Sequence, residues 1–307
     1  MSWNLRYASH LGFRSHDLPL FVASVGSADP VAHVAYAARL GLAGVQDPWF
    51  ATRPRDAQDR IAAALAEHGL AAGVVVCGSL DAVRRPIWNQ RGEMARVNLE
   101  RLLRESIDAA RRIGARQIAV LTGDDIGAPR ALQMDAMSEN LRWAGAVAHR
   151  EGVALCLEPT NARTLPGMFL NHIGEGCDLV RAVDSPAVRL IFDTAHVQSM
   201  DGDLLVNLER CWDWVEIVQI ANHPGRYEPE AGEIDMAAIL HKVRARGYSG
   251  LVELEHHWSA NDASTEQRGV DWLRRVDGAL GPSVASRSRI ESPIDPSTKN
   301  HGETPCD

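Results

Sequence analysis

Val153-Ala-Leu-Cys-Leu-Glu158 and Val188-Arg-Leu-Ile-Phe-Asp193 are two short apolar runs that each end in an acid. Val215-Glu-Ile-Val-Gln219-Ile and Leu251-Val-Glu-Leu-Glu255 follow, the first with a glutamine just inside its boundary, the second ending in a glutamate. All four are strand-length, and amphipathic segments near 173–184, 203–211 and 235–246 separate them. Strands alternating with helices predict a parallel sheet. Working back along the chain, further strands are expected near 5–12, 43–47, 71–77 and 116–121. Helices are expected between them near 29–40, 56–69, 92–113 and 131–151, with a last one near 264–279. Gly41, Gly69, Gly114, Gly152 and Gly247 stand where each helix should end and the next strand begin.

Eight such units close a (β/α)8 TIM barrel, an α/β fold of roughly 250 residues, and the 307 residues here accommodate one. We expect a single barrel over 1–280. A polar tail over 281–307, rich in Ser and Pro and without an apolar face, is expected to be flexible. An open, doubly wound sheet is the alternative, but no GxGxxG or GxxxxGK[ST] follows any strand, so nucleotide binding has no motif behind it.

Composition narrows the function classes. The formal charge is −8, and Lys and Arg are scattered among acids rather than gathered in a stripe. That speaks against nucleic acid as a partner and for a small-molecule substrate. The five cysteines (Cys77, Cys156, Cys177, Cys211, Cys306) form no CxxC pair, which fits a reducing compartment better than a disulfide framework. No signal-like or membrane-spanning apolar run is present, so the expectation is a cytoplasmic protein without a membrane partner.

In a parallel barrel every strand's carboxyl end converges on one mouth, where such folds place their sites. Strand alternation sends Val153, Leu155 and Leu157 towards the helices and Ala154, Cys156 and Glu158 towards the axis. Three carboxylates on one partly buried rim repel one another unless something compensates them. A divalent cation does so, and oxygen ligands from Glu158, Asp193, Glu255 and the Gln219 amide favour Mg²⁺ or Mn²⁺. Glu253 shares the parity of Glu255 and is expected deeper, as a partner of the site.

Around these residues the chain resembles the xylose-isomerase-like superfamily of sugar isomerases and epimerases, most closely the hydroxypyruvate isomerase family. The resemblance rests on Leu157-Glu-Pro-Thr-Asn161, on Phe192-Asp-Thr-Ala-His through Asp203, on Val218-Gln-Ile-Ala-Asn-His-Pro-Gly-Arg-Tyr-Glu-Pro229, and on Gly247-Tyr-Ser-Gly250 leading to Glu255. It covers the second half of the chain in order and spacing. In the first half only Gly44-Val-Gln-Asp47 and Leu121-Thr-Gly123 resemble it, and loosely. The resemblance implies that Glu158 and Glu255 are both metal ligands and the acid/base pair, with Asp193 and Gln219 completing the coordination. Relatives often associate, so a homo-oligomer is an open expectation, by analogy only.

Further candidates come from the loops after the strands. His196 is placed to bond substrate oxygens; His223 and Arg226 follow the seventh strand, and Arg226 is a natural fork for a substrate carboxylate. His10, His256 and His257 are open as additional members. The expected chemistry is isomerisation or epimerisation of a small hydroxy-carbonyl compound, hydroxypyruvate-like or a keto-sugar, through an enediolate. A dehydratase or lyase sharing the first proton abstraction is the alternative. A DNA-cleaving AP endonuclease would need more histidine ligands and a basic face.

Overall fold

A computed structural model describes residues 3–281. The tail expected from 281 onward, like Cys306, lies outside the described residues but for Gly281. Nine parallel strands form one sheet: β1 (Arg6–His10), β2 (Gly44–Gln46), β3 (Ala71–Ala72), β4 (Val75–Val76), β5 (Gln117–Val120), β6 (Ala154–Leu157), β7 (Val188–Asp193), β8 (Val215–Ile220) and β9 (Leu251–Leu254). Their order is β3-β2-β1-β9-β8-β7-β6-β5-β4. The two outer members, β3 and β4, are joined only by Gly73-Val74, so the curved sheet comes round on itself and the architecture is that of a TIM barrel.

The expected third strand is thus one strand broken in two, and the break has a cause. Gly73 N still donates to Val45 O at 2.8 Å, but Val74 N donates to Glu253 Oε1, also at 2.8 Å. A carboxylate from β9 takes the hydrogen bond that a neighbouring strand would otherwise supply. Only glycine allows this approach, since a Cβ on Gly73 would meet Glu253 Oε1 at 2.5 Å and Gln46 Cα at 2.9 Å.

The strand alternation holds in space. Leu155 and Leu157 join the large core between sheet and helices, whereas Cys156 joins Val74, Val76, Ala119, Ile191 and Ile217 in a second cluster that fills the barrel axis. The helix Glu93–Ile113 buries Leu99, Leu102, Leu103, Ile107 and Ala110 as their spacing predicts. Val97, on the same expected face, is 52% exposed near the helix start. Three short helices were not expected from periodicity: Val22–Val25, Leu80–Val83 and Thr194–Met200. The four described cysteines are free and buried. Among the described residues no helix is long and apolar enough to cross a membrane.

Gly73→Ala forces either the Glu253 carboxylate or the β2 backbone to move. We expect a loss of about 1–3 kcal/mol in urea unfolding, whereas Gly69→Ala, whose Cβ meets nothing within 4 Å, tests the effect of positive φ alone.

Candidate active site

Glu158 follows β6, Asp193 ends β7, and Glu255 follows β9. All three are buried at one end of the barrel. Above them opens a cavity of about 320 Å³ lined by Glu158, Glu255, His196 and Arg226 together with apolar walls that include Trp49 and Met168. Glu158, Asp193 and His196 each present a ligand-type atom within 4.8 Å of the others, the spacing a single divalent ion needs.

Asp193 organises this end. Its Oδ1 accepts the backbone N–H of His196 at 2.9 Å and so caps the helix Thr194–Met200. Both its oxygens receive the Arg226 guanidinium, at 2.7 and 3.2 Å. Burial opposes its ionisation, yet Arg226 and the bond from His196 hold its pKa below the usual carboxylate range. Arg226 also lies 3.5 Å from Glu255. The fork read in the sequence as a substrate-carboxylate binder is therefore already occupied by Asp193.

His196 Nδ1 accepts the Asn161 backbone N–H at 3.2 Å. Nε2 stands between Arg226 Nη1 at 3.4 Å, a donor, and Glu158 Oε1 at 3.6 Å. Burial lowers the ring's pKa to about 4, so it stays neutral. His196 lines the cavity with a ring nitrogen in reach of the Glu158 and Asp193 ligand atoms.

The glutamates are in the opposite state from Asp193. Burial first, and then the charge of Asp193, raises Glu158 to about 8. Burial likewise raises Glu255 well above its ordinary value, against the pull of Arg226. Glu255 Oε2 is buried without a hydrogen-bond partner, and so is Gln219 Oε1. The Gln219 amide is oriented from below, because its Nε2 donates to Glu253 Oε2 at 3.0 Å. Unsatisfied buried oxygens of this kind are donors of the type a hard cation takes. The group whose ligand atoms cluster closely enough to hold an ion is Glu158, Asp193 and His196, with the open oxygens of Glu255 and Gln219 as further oxygen donors.

Other candidates fall outside. His223 pairs with Glu233 at 3.2 Å and does not line the cavity. Both ring nitrogens of His10 are used by backbone, the Gly12 N–H and the His256 carbonyl. His256 packs edge-on against Trp258 and His257 against Tyr227. Asp47 is fully buried and held by Arg53 at 2.6 Å. Phe50 and Trp88 are core residues, at 0% and 1% exposure, while Trp49 lines the cavity. Sequence reading missed Phe13, whose carbonyl receives the Trp49 indole N–H at 2.8 Å, and Asn161, whose backbone N–H binds His196 Nδ1. Their loops carry no periodic signal.

Fold and site together define an α/β-barrel with an oxygen-rich, cation-compatible mouth. Residues 34–276 match the model of the xylose isomerase-like TIM barrel family, and the chain belongs to that family. A 2-oxo-tetronate isomerase of Cupriavidus necator is 31% identical over 170 residues, 55% of this chain and 64% of that protein. Hydroxypyruvate isomerase of Escherichia coli is 28% identical over 169 residues, again 55% and 64%. The chain thus spans less than two thirds of these curated relatives. Among solved structures, an AP endonuclease, family 2, from Brucella melitensis superposes with TM-score 0.71 at 26% identity, covering 88% of this chain and 98% of that one.

Two outcomes follow from these contacts. Buried neutral histidines (His10 and His196 near 4, against 6.5) contribute stability that grows as pH rises to 6.5 and is then constant. Glu158 binds its proton more tightly folded than unfolded, so it contributes stability below 4.5 that is lost as pH rises to about 8. Chelator-treated protein should therefore melt at progressively lower temperature between pH 6.5 and 8, and Glu158→Gln should flatten that decline. Separately, Glu253→Gln leaves one side-chain oxygen where Val74 N and the Gln219 amide each take one now. Calorimetric Mn²⁺ titration should show affinity lowered about tenfold or more, the usual scale for groups that orient a ligand.

Proposed function

We propose that the chain is a metal-dependent isomerase or epimerase that moves a proton between adjacent carbons of a small hydroxy-carbonyl substrate, hydroxypyruvate-like or a keto-sugar. The observation that carries this reading is the pair Glu158 and Glu255, both buried, both with raised pKa, and both facing one cavity. A group that exchanges protons near neutral pH is what acid/base catalysis at carbon requires. The names of the relatives, hydroxypyruvate and 2-oxo-tetronate isomerase, support the same class.

One glutamate takes the proton beside the carbonyl as a base and returns it at the neighbouring carbon, while the other carries the hydroxyl proton to the carbonyl oxygen, so both carboxylates end the turnover as they began. A divalent ion held by Glu158, Asp193, Glu255 and Gln219 would polarise the substrate carbonyl and stabilise negative charge on it. His196, which lines the cavity, hydrogen-bonds a substrate oxygen. Arg226, locked on Asp193, keeps that carboxylate ionised and adds positive charge near Glu255. The apolar walls exclude water from the reacting carbons, which strengthens each of these interactions. One direct consequence is that substrate in D₂O with added Mn²⁺ gains deuterium beside its carbonyl.

Glu158→Gln and Glu255→Gln should each remain folded and lose several orders of magnitude in turnover, read by deuterium incorporation and product formation. Near-native turnover by either variant would falsify the two-glutamate mechanism. Release of water or of a second product in the same tube would assign the elimination chemistry instead.

A further inference from the structure

The cavity is built with two unlike ends. Its floor holds the titratable groups already described, its walls are apolar, with Phe13, Trp49, Leu121 and Met168 among them, and its rim carries two arginines, Arg14 and Arg84. Both rim arginines are exposed, and among the described residues neither has a carboxylate within ion-pair distance. In a chain of net charge −8, uncompensated cations at the mouth of a carboxylate-floored cavity are the reverse of the surrounding surface.

Phe13 ties the rim to the floor. The Arg14 guanidinium lies 5.5 Å from its ring centre and the Arg226 guanidinium 5.2 Å from the same centre. The Trp49 indole fixes the backbone at this point. Arg14 is held below its ordinary pKa by partial burial and by Arg226, as expected where like charges approach without an anion between them. Arg226 has both arms on Asp193, so among the described residues the floor's arginine is spent internally. Beyond the proposed metal ion, the side-chain cations open to a negative group on the substrate are Arg14 and Arg84 at the rim.

Resting on the isomerase reading, we propose that the preferred substrate is a ketose bearing an anionic group, carboxylate or phosphate, at the end remote from its carbonyl. Arg14 and Arg84 bind that group while the carbonyl and its neighbouring carbon sit between Glu158 and Glu255. The C–H faces of the intervening sugar carbons lie on Phe13 and Trp49. A three-carbon keto acid, whose carboxylate adjoins the carbonyl, cannot reach the rim while its carbonyl is at the floor.

The test is deuterium exchange beside the carbonyl for four compounds with the Mn²⁺-loaded protein: hydroxypyruvate, fructose, fructose 6-phosphate and fructuronate. We expect kcat/KM for at least one of the two anion-tipped ketoses to exceed that for fructose and for hydroxypyruvate. Which of the two is faster identifies the anion. The ratio of the anion-tipped ketose to fructose should fall by about tenfold in Arg14→Gln/Arg84→Gln, and Arg14→Lys/Arg84→Lys should restore part of it. Fructose or hydroxypyruvate exchanging as fast as the anion-tipped ketoses, or a ratio unmoved in the double variant, overturns the inference and leaves the isomerase reading intact. Absence of exchange in all four overturns both.

Discussion

Burying four carboxylates at one end of a barrel is the constraint around which this structure is arranged. Glu158, Asp193, Glu253 and Glu255 are each at most 8% exposed, and Arg226 is the one cation that pairs with any of them among the described residues. Ionising all four in a low-dielectric interior costs far more than one guanidinium returns. The structure resolves the conflict unequally. Asp193 takes both arms of Arg226 and the N–H of His196 and stays charged. The other three lie where burial outweighs stabilisation, and their pKa values rise.

Burial depth and hydrogen bonding sort those three. Glu253 lies at the level of the apolar axial cluster, and its two bonds, from Val74 N and Gln219 Nε2, moderate a rise that still reaches about 7. Those same bonds interrupt the third strand and aim the Gln219 oxygen. One side chain thus links a feature of the sheet to a feature of the site. Glu158 and Glu255 lack comparable donors, so they keep their capacity to exchange protons. Differences of this kind between neighbouring carboxylates are what allow one to act as acid while another acts as base.

The strand ends were legible because two local rules coincide there. Apolar runs of period two fix which residues face the axis, and the parallel connection fixes which end is the mouth. Glu158, Asp193 and Glu255 follow from those rules alone, and β7 and β8 match their expected spans. The break at Gly73-Val74 was not legible, since it depends on Glu253 arriving from a strand 179 residues away. The helix Thr194–Met200 was missed because its start is set by a cap from Asp193, a residue already counted as a strand end. Arg226 and His223 show the limit for loop residues: their types are informative, but the partner each chose, Asp193 and Glu233, is a tertiary fact. His10 and His256 were open candidates for the same reason, and backbone partners and packing claim them.

Charge conservation connects the bare site to the proposed loaded one. Without an ion, Glu158 and Glu255 favour their protonated forms, and the floor is close to neutral apart from the Asp193–Arg226 pair. Exchanging those two protons for one divalent ion leaves the total unchanged while converting both glutamates to ligands. That exchange is favourable only if the remaining ligand adds no further charge. A neutral glutamine at position 219 meets this condition, where a fifth carboxylate would leave the floor negative. It also explains why the amide must be held in one orientation: its other end is a donor, and a donor aimed at a cation repels it. Glu253 excludes that orientation by accepting from Nε2, and Gly73 makes room for it to do so. The proposed ligand set would therefore depend on a residue that coordinates nothing and on another that has no side chain.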